Sequence, residues 1–315
     1  MDFLVVLLFL EWYLLSRLAL SDVNQLICDG VVLFGKYYEK QLLFGALHKP
    51  RNLLLHSLSG ELFFSHTIHK GADAYSTIRT CNMNTKRCID IKTVEDGRAI
   101  AYDRNTSEIY FGGSKGIYKY DFKSKTARLY AENGTSIWNM FIQDLFYYVD
   151  ASTKRIVANL RGYFHIIPLF SEIEFDNIFF SVLDHMYFSN RTGLYKAQSV
   201  ISPIFVLNNT MDVRQISQDI NDNRLTVYFA AKDGLYIQDP SFRKMIMVAA
   251  IDNVFGVTFR NISDGTKNKS EVLYSDQEAI YKLVKSRHGY SCMMKFEAQK
   301  QAARSINLKM TVDLD

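Results

Sequence analysis

Apolar and polar residues alternate through most of this chain in short runs punctuated by Gly, Asn, Asp and Ser, which is the period of strands rather than of helices. The clearest example runs from Ser107 to Phe122, SEIYFGGSKGIYKYDF. Ile109, Tyr110 and Phe111 mark one strand and Ile117, Tyr118 and Tyr120 a second. Gly112, Gly113 and Gly116 supply the turn between them.

Weaker copies of this hairpin recur. The first full unit reads NLLLHSL, ELFFSHT, AYSTIRT and RCIDIKT from Asn52 to Thr93, and the second GRAIAYD, SEIYFGG, GIYKYDF and TARLYAE from Gly97 to Glu132. Later units carry the same aromatic pair at Tyr147 and Tyr148, Tyr187 and Phe188, and Tyr228 and Phe229, with Leu273 and Tyr274 in the last. The second members, Phe64, Phe111, Tyr148, Phe188, Phe229 and Tyr274, are spaced by 47, 37, 40, 41 and 45 residues. A period near 40 with four strands per unit predicts a β-propeller; the alternation excludes a helical solenoid, and the alternative is an irregular β-sandwich whose spacing is coincidental. The expected fold is all-β: six four-stranded antiparallel blades in a ring closed near the termini. The earlier segment ICDGVVLFGKYYEKQLLFGAL, from Ile27 to Leu47, reads as an entry strand that joins the last blade.

Composition agrees. In 315 residues there are 22 Phe and 19 Tyr against 4 Pro, and aromatic rings pack well on a pleated surface. Residues 1–21 read as a secretory leader, with an apolar run from Phe3 to Leu10 and Ala19, Leu20, Ser21 at its end. That run is far short of the roughly 20 residues of a membrane span. The propeller is then expected over residues 22–296, followed by a tail at 297–315. Sequons at Asn105, Asn133, Asn190, Asn208, Asn261 and Asn268 fit a secreted, glycosylated chain. Of the four cysteines, Cys81 and Cys88 bracket a short turn, while Cys28 and Cys292 lie near the two ends. The natural pairings are 81 with 88 and 28 with 292, the second tying the ends together. The net charge of +4 is spread without basic runs, which excludes a nucleic-acid footprint.

Catalytic signatures are weak. Gly112 to Gly116 matches G-x-S-x-G, but that motif needs a strand running into a helix; here a strand follows, so Ser114 is a turn residue. His66 and His69 read as loop histidines of HTIHKG rather than metal ligands. Nothing calls for a cofactor or metal. A propeller's ligand site is expected where the loops into each innermost strand converge on the channel mouth. By repeat alignment those loops supply Arg51, Asp96, Arg98, Trp138, Asn139, Asp176, Arg214, Asn253 and Phe255, flanked by Asn52, Asn177 and Gln215. Two readings compete. A calcium-dependent lactonase or esterase would gather oxygens from Asp96, Asn139, Asp176, Asn177 and Asn253 on one ion, against the opposing charge of three arginines. A binder of a flat acidic aromatic molecule would use the arginines for carboxylates and Trp138 or Phe255 for stacking. The composition favours the second, with an extracellular protein-binding propeller as a further alternative.

IYFGGSKGIYKYDF with the preceding GRAIAYDRNTSE, the early ICDGVVLFGKYY and the paired cysteines resemble the ommochrome-binding proteins of moth and butterfly haemolymph. FYYVDASTKRIVANLRG is similar to the YWTD repeat of lipoprotein-receptor propellers, with Tyr147, Tyr148, Val149 and Asp150 at the four positions. The first resemblance implies a secreted haemolymph carrier, without enzymatic activity, for tryptophan-derived phenoxazinone pigments; a monomer is expected.

Overall fold

Both members of each repeated pair are buried, and the reason is that the strand carrying them is covered on both faces. Successive residues of a strand point to opposite sides, so Tyr110 and Phe111 need two separate apolar partners. In the computed structural model, which describes residues 28–298 apart from 72, 201, 222–224, 240–243 and 264–267, they have them. Phe111 packs with Phe63 and Ile78 of the preceding repeat, and Tyr110 with Ile137 and Tyr148 of the following one. The rule repeats: Tyr147 packs toward Phe180 and Phe188, and Phe229 back toward Phe179 and Tyr187. The leader at 1–21 and all but two residues of the tail at 297–315 lie outside the described residues.

The described residues divide into two units, 41–284 and 28–40 with 285–298. The first is a six-bladed β-propeller. Its innermost strands are Arg51–His56, Ala99–Asp103, Ile137–Ile142, Asn177–Phe180, Val213–Gln218 and Gly256–Ser263. Each touches the next, and the last returns to the first. Within a blade the strands follow in order from the channel outwards, all antiparallel. The sixth blade takes its fourth strand from Lys36–Phe44, the entry strand expected there. Ring closure rests on an apolar core in which Phe44, Leu47, Leu53, Leu62 and Phe64 meet Leu273 and Ile280.

In the other unit, Gly30–Leu33 pairs with Lys36–Glu39 as a hairpin, residues 289–298 are helical, and Cys28 is bonded to Cys292. Cys81 is bonded to Cys88 within the first blade. Both expected pairings therefore form. A cross-link removes more unfolded-state entropy the longer the loop it closes, and the sequence separations are 264 and 7. Replacing Cys28 and Cys292 by Ser should lower stability more than replacing Cys81 and Cys88, by roughly 3 kcal/mol in the chain-entropy treatment. Denaturant midpoints of the two double variants check this.

Two expectations are corrected. Gly112 and Gly113 are not turn residues; they end the strand Glu108–Gly113. A Cβ on Gly112 would lie 2.5 Å from Ile137, and one on Gly113 would lie 2.4 Å from the Glu95 carbonyl, so close approach keeps both positions small. Only Gly116 of the three has a left-handed backbone, φ 131, and Ser114 sits in the turn before it, half-buried, donating to the Glu95 carbonyl at 3.2 Å. His66 is not in a loop. The strand Glu61–Lys70 continues through it, and the side chain is buried. Residues three apart in a strand face opposite sides, which separates His66 from His69; the latter packs its ring against His48 at 4.6 Å.

Burial pushes the pKa of His66 down, with Arg79 adding to the effect and Asp90 opposing it; burial also lowers His56, against the pull of Glu61. The folded chain therefore favours both imidazoles neutral, whereas in the unfolded chain they protonate near pH 6.5. Stability should fall as pH drops below about 6.5, by at most about 1.4 kcal/mol per pH unit for each group. Thermal midpoints at pH 7.5 and 5.5 should differ, and His66→Gln should reduce the difference.

Candidate functional site

The inner strands start at one mouth of the channel, and the residues just before or at those starts line a cavity of about 650 Å³ there. Arg51, Arg98, Trp138, Asn139, Asp176, Arg214 and Phe255 all contribute to its wall. Asp96 and Asn253 do not. Asp96 is turned into structure, accepting from the Ser76 amide at 2.8 Å and pairing with Arg98 at 2.5 Å, so it holds Arg98 in place. Asn253 has a left-handed backbone (φ 56) and its amide donates to the Lys232 carbonyl.

Cations and aromatic rings are layered here. The Arg214 guanidinium lies 4.1 Å and that of Arg51 5.6 Å from the centre of the Phe255 ring. Across the mouth, Lys154 lies 3.1 Å and Arg98 5.3 Å from the centre of the Trp138 ring. Trp138 is pinned by its indole N–H, which donates to the Asp176 carbonyl at 3.0 Å. The rings thus back the cations instead of offering open faces, and a planar ligand entering this cavity meets guanidinium planes first, surfaces that stack on aromatic systems and pair with carboxylates.

Most of these cations have a carboxylate partner: Arg98 has Asp96, Lys154 has Asp176 at 3.4 Å, and Arg214 has Asp212 at 3.6 Å. Arg51 has none among the described residues. Burial, and then the nearby Arg214 and Arg98, hold its pKa below the ordinary guanidinium value. Lys154 is likewise pushed down by burial, against the pull of Asp176. Placing an uncompensated guanidinium in such a setting is costly, and an anionic ligand removes the cost.

Three further polar residues of the inner strands are structural. Asn52 donates to the Arg98 carbonyl at 2.7 Å, and Asn177 to the Val213 carbonyl at 2.9 Å. Gln215 reaches past the sixth blade to the first, donating to the Leu53 carbonyl and accepting from the Leu53 amide, both at 2.9 Å. Gly256 leaves the space for this crossing, since a Cβ there would sit 2.6 Å from the Gln215 oxygen. Of the oxygens considered for calcium, those of Asp96 and Asp176 are held by cations and Asn253 lies off the cavity, while Asn139 and Asn177 line it. Among the described residues no three His, Cys, Asp or Glu side chains gather as a metal cluster.

Arg191, which lines the cavity, and Lys154, which packs on the Trp138 ring behind its wall, were not among the expected site residues. They come from the turns between second and third strands, which return to the same mouth because a second strand ends where the first begins. That antiparallel rule is the signal that finds them.

No family model matches the sequence. Ommochrome-binding protein of Manduca sexta is 26% identical over 279 residues, covering 86% of this chain and 97% of that protein. Among solved structures, a gluconolactonase from Xanthomonas campestris superposes with a TM-score of 0.59 at 10% identity, covering 82% of this chain and 95% of that one. Regucalcin, a calcium-binding protein from Agrobacterium tumefaciens, gives 0.57 at 13%, covering 79% and 96%. At those identities the structures speak for the fold alone. The sequence likeness is of another kind, spanning nearly the whole of both chains, and the chain resembles ommochrome-binding protein as its repeats suggested.

Proposed function

We propose that this chain is a secreted, monomeric carrier that binds an ommochrome-type pigment, a planar phenoxazinone bearing carboxylates, in the mouth lined by Arg51, Arg98, Trp138, Arg214 and Phe255, and that it is not an enzyme. The observation that carries the reading is Arg51, a guanidinium with no carboxylate partner among the described residues, set on Phe255 beside Arg214. A carboxylate supplies the missing charge there, and the ring system stacks on the guanidinium planes. The likeness to ommochrome-binding protein supports the same ligand class. The lactonase alternative draws on the propeller neighbours, but the pairing of Asp96 and Asp176 with cations disfavours a calcium site. Two disulfides suit an oxidising, extracellular setting, and an insect haemolymph carrier with glycans on the exposed Asn105 and Asn133 fits it.

Titration with xanthommatin tests this. A saturable shift of the pigment's visible band at micromolar protein is expected; no shift, or hydrolysis of lactones that EDTA abolishes, would overturn it.

A further inference from the structure

The opposite mouth of the channel has different chemistry. The inner strands end there around a second cavity of about 500 Å³, within the size range of small-molecule sites. Leu55, Ile100, Met140, Phe141, Phe179 and Phe259 are among its walls. Asn52, Asn139 and Asn177 line both cavities, so a belt of amides lies between them. Two of these amides are spent on backbone carbonyls, as above. A ligand entering from this side therefore finds apolar walls, broken by Ser57, Ser217, Gln218, Asn221 and Thr258, above a polar floor.

Among the described residues one full charge lines this chamber. Arg104, just after the end of the inner strand Ala99–Asp103, contributes to the wall beside Tyr102. It reaches solvent, and among the described residues it has no carboxylate partner. Burial against its surroundings lowers its pKa, as befits a side chain at the rim of a concavity. At the pigment mouth, by contrast, three cations have carboxylates of their own and aromatic rings behind them.

We propose that this mouth is a second ligand site, for a long-chain fatty acid whose hydrocarbon tail fills the apolar chamber and whose carboxylate pairs with Arg104. The apolar wall residues named above, half of them aromatic, match the tail, and Arg104, the one charge lining the chamber among the described residues, matches the head. This inference stands apart from the pigment reading and shares no charged residue with it.

The test is a fluorescence titration of the intact protein with cis-parinaric acid, followed by displacement with saturated fatty acids of decreasing length. Saturable binding is expected, with affinity falling about fourfold for each methylene removed. Arg104→Glu should weaken binding roughly tenfold or more, while leaving the visible shift of xanthommatin in place, which shows that the variant is folded. If it does not fold, the chain-length series on the unaltered protein decides. The inference is overturned by absence of saturable parinarate binding, by Arg104→Glu binding as tightly as the parent, by affinity independent of chain length, or by one-for-one displacement of parinarate by xanthommatin.

Discussion

Arg51→Met should weaken xanthommatin binding by roughly 10- to 100-fold, the loss that follows from removing a charge-assisted hydrogen bond to a carboxylate. The same substitution should leave the ligand-free protein as stable as before, or more stable by up to about 1 kcal/mol. Relieving an uncompensated buried charge is neutral or favourable when an apolar side chain of similar length replaces it, and here the neighbours Arg214 and Arg98 share its sign. The two effects run in opposite directions, so a variant that loses pigment because it is damaged is distinguished from one that loses it because the cation is gone. Arg51→Lys keeps the charge but not the planar fork and should recover part of the affinity. Spectroscopic titration and a thermal melt on the three proteins check all of this.

Phe229→Ala should cost about 3–5 kcal/mol, a large part of the roughly 5–15 kcal/mol that holds an ordinary domain folded. Phe229 is fully buried. It packs across the boundary between blades four and five, with Tyr187 edge-on at 5.5 Å and Phe179 and Val213 in the same cluster. A blade is a thin sheet whose middle strands have no solvent face, so the void cannot open to water without parting two blades. Tyr163 is the control: it is an aromatic residue on an outer strand, 72% exposed, and Tyr163→Ala should change stability by about 0.5 kcal/mol or less. Equilibrium denaturation of both variants measures the contrast. Equal losses would mean that the repeated pairs do not carry the ring.

The same geometry explains what could be read from the sequence. Aromatic pairs such as Tyr110–Phe111 are legible because two consecutive buried residues demand cover on both faces, and their recurrence near every 40 residues leaves few architectures. Entry loops were legible because strand starts were, which brought Arg51, Arg98, Trp138 and Arg214 to one mouth. Lys154 was not, since it meets Trp138 only through the return of a hairpin whose length varies from blade to blade. Asp96 and Asn253 stand beside cavity-lining residues in sequence, but their side chains do not join the cavity wall. The histidine at 66 was hidden because the strand Glu61–Lys70 outruns its apolar pattern, paired all the way to Lys70 with Asp73. The apolar mouth was hidden for a different reason: Phe141 and Phe259 carry the same period as core residues, and only the ring shows that they also border a chamber.

A crystal structure of the protein with xanthommatin tests most directly whether the cation-rich mouth holds the pigment. The expected result is the fused rings against the guanidinium planes of Arg51 and Arg214, with a carboxylate paired to Arg51. Pigment seated at the opposite mouth, or a calcium ion held by Asp96 and Asp176 in its place, would contradict it.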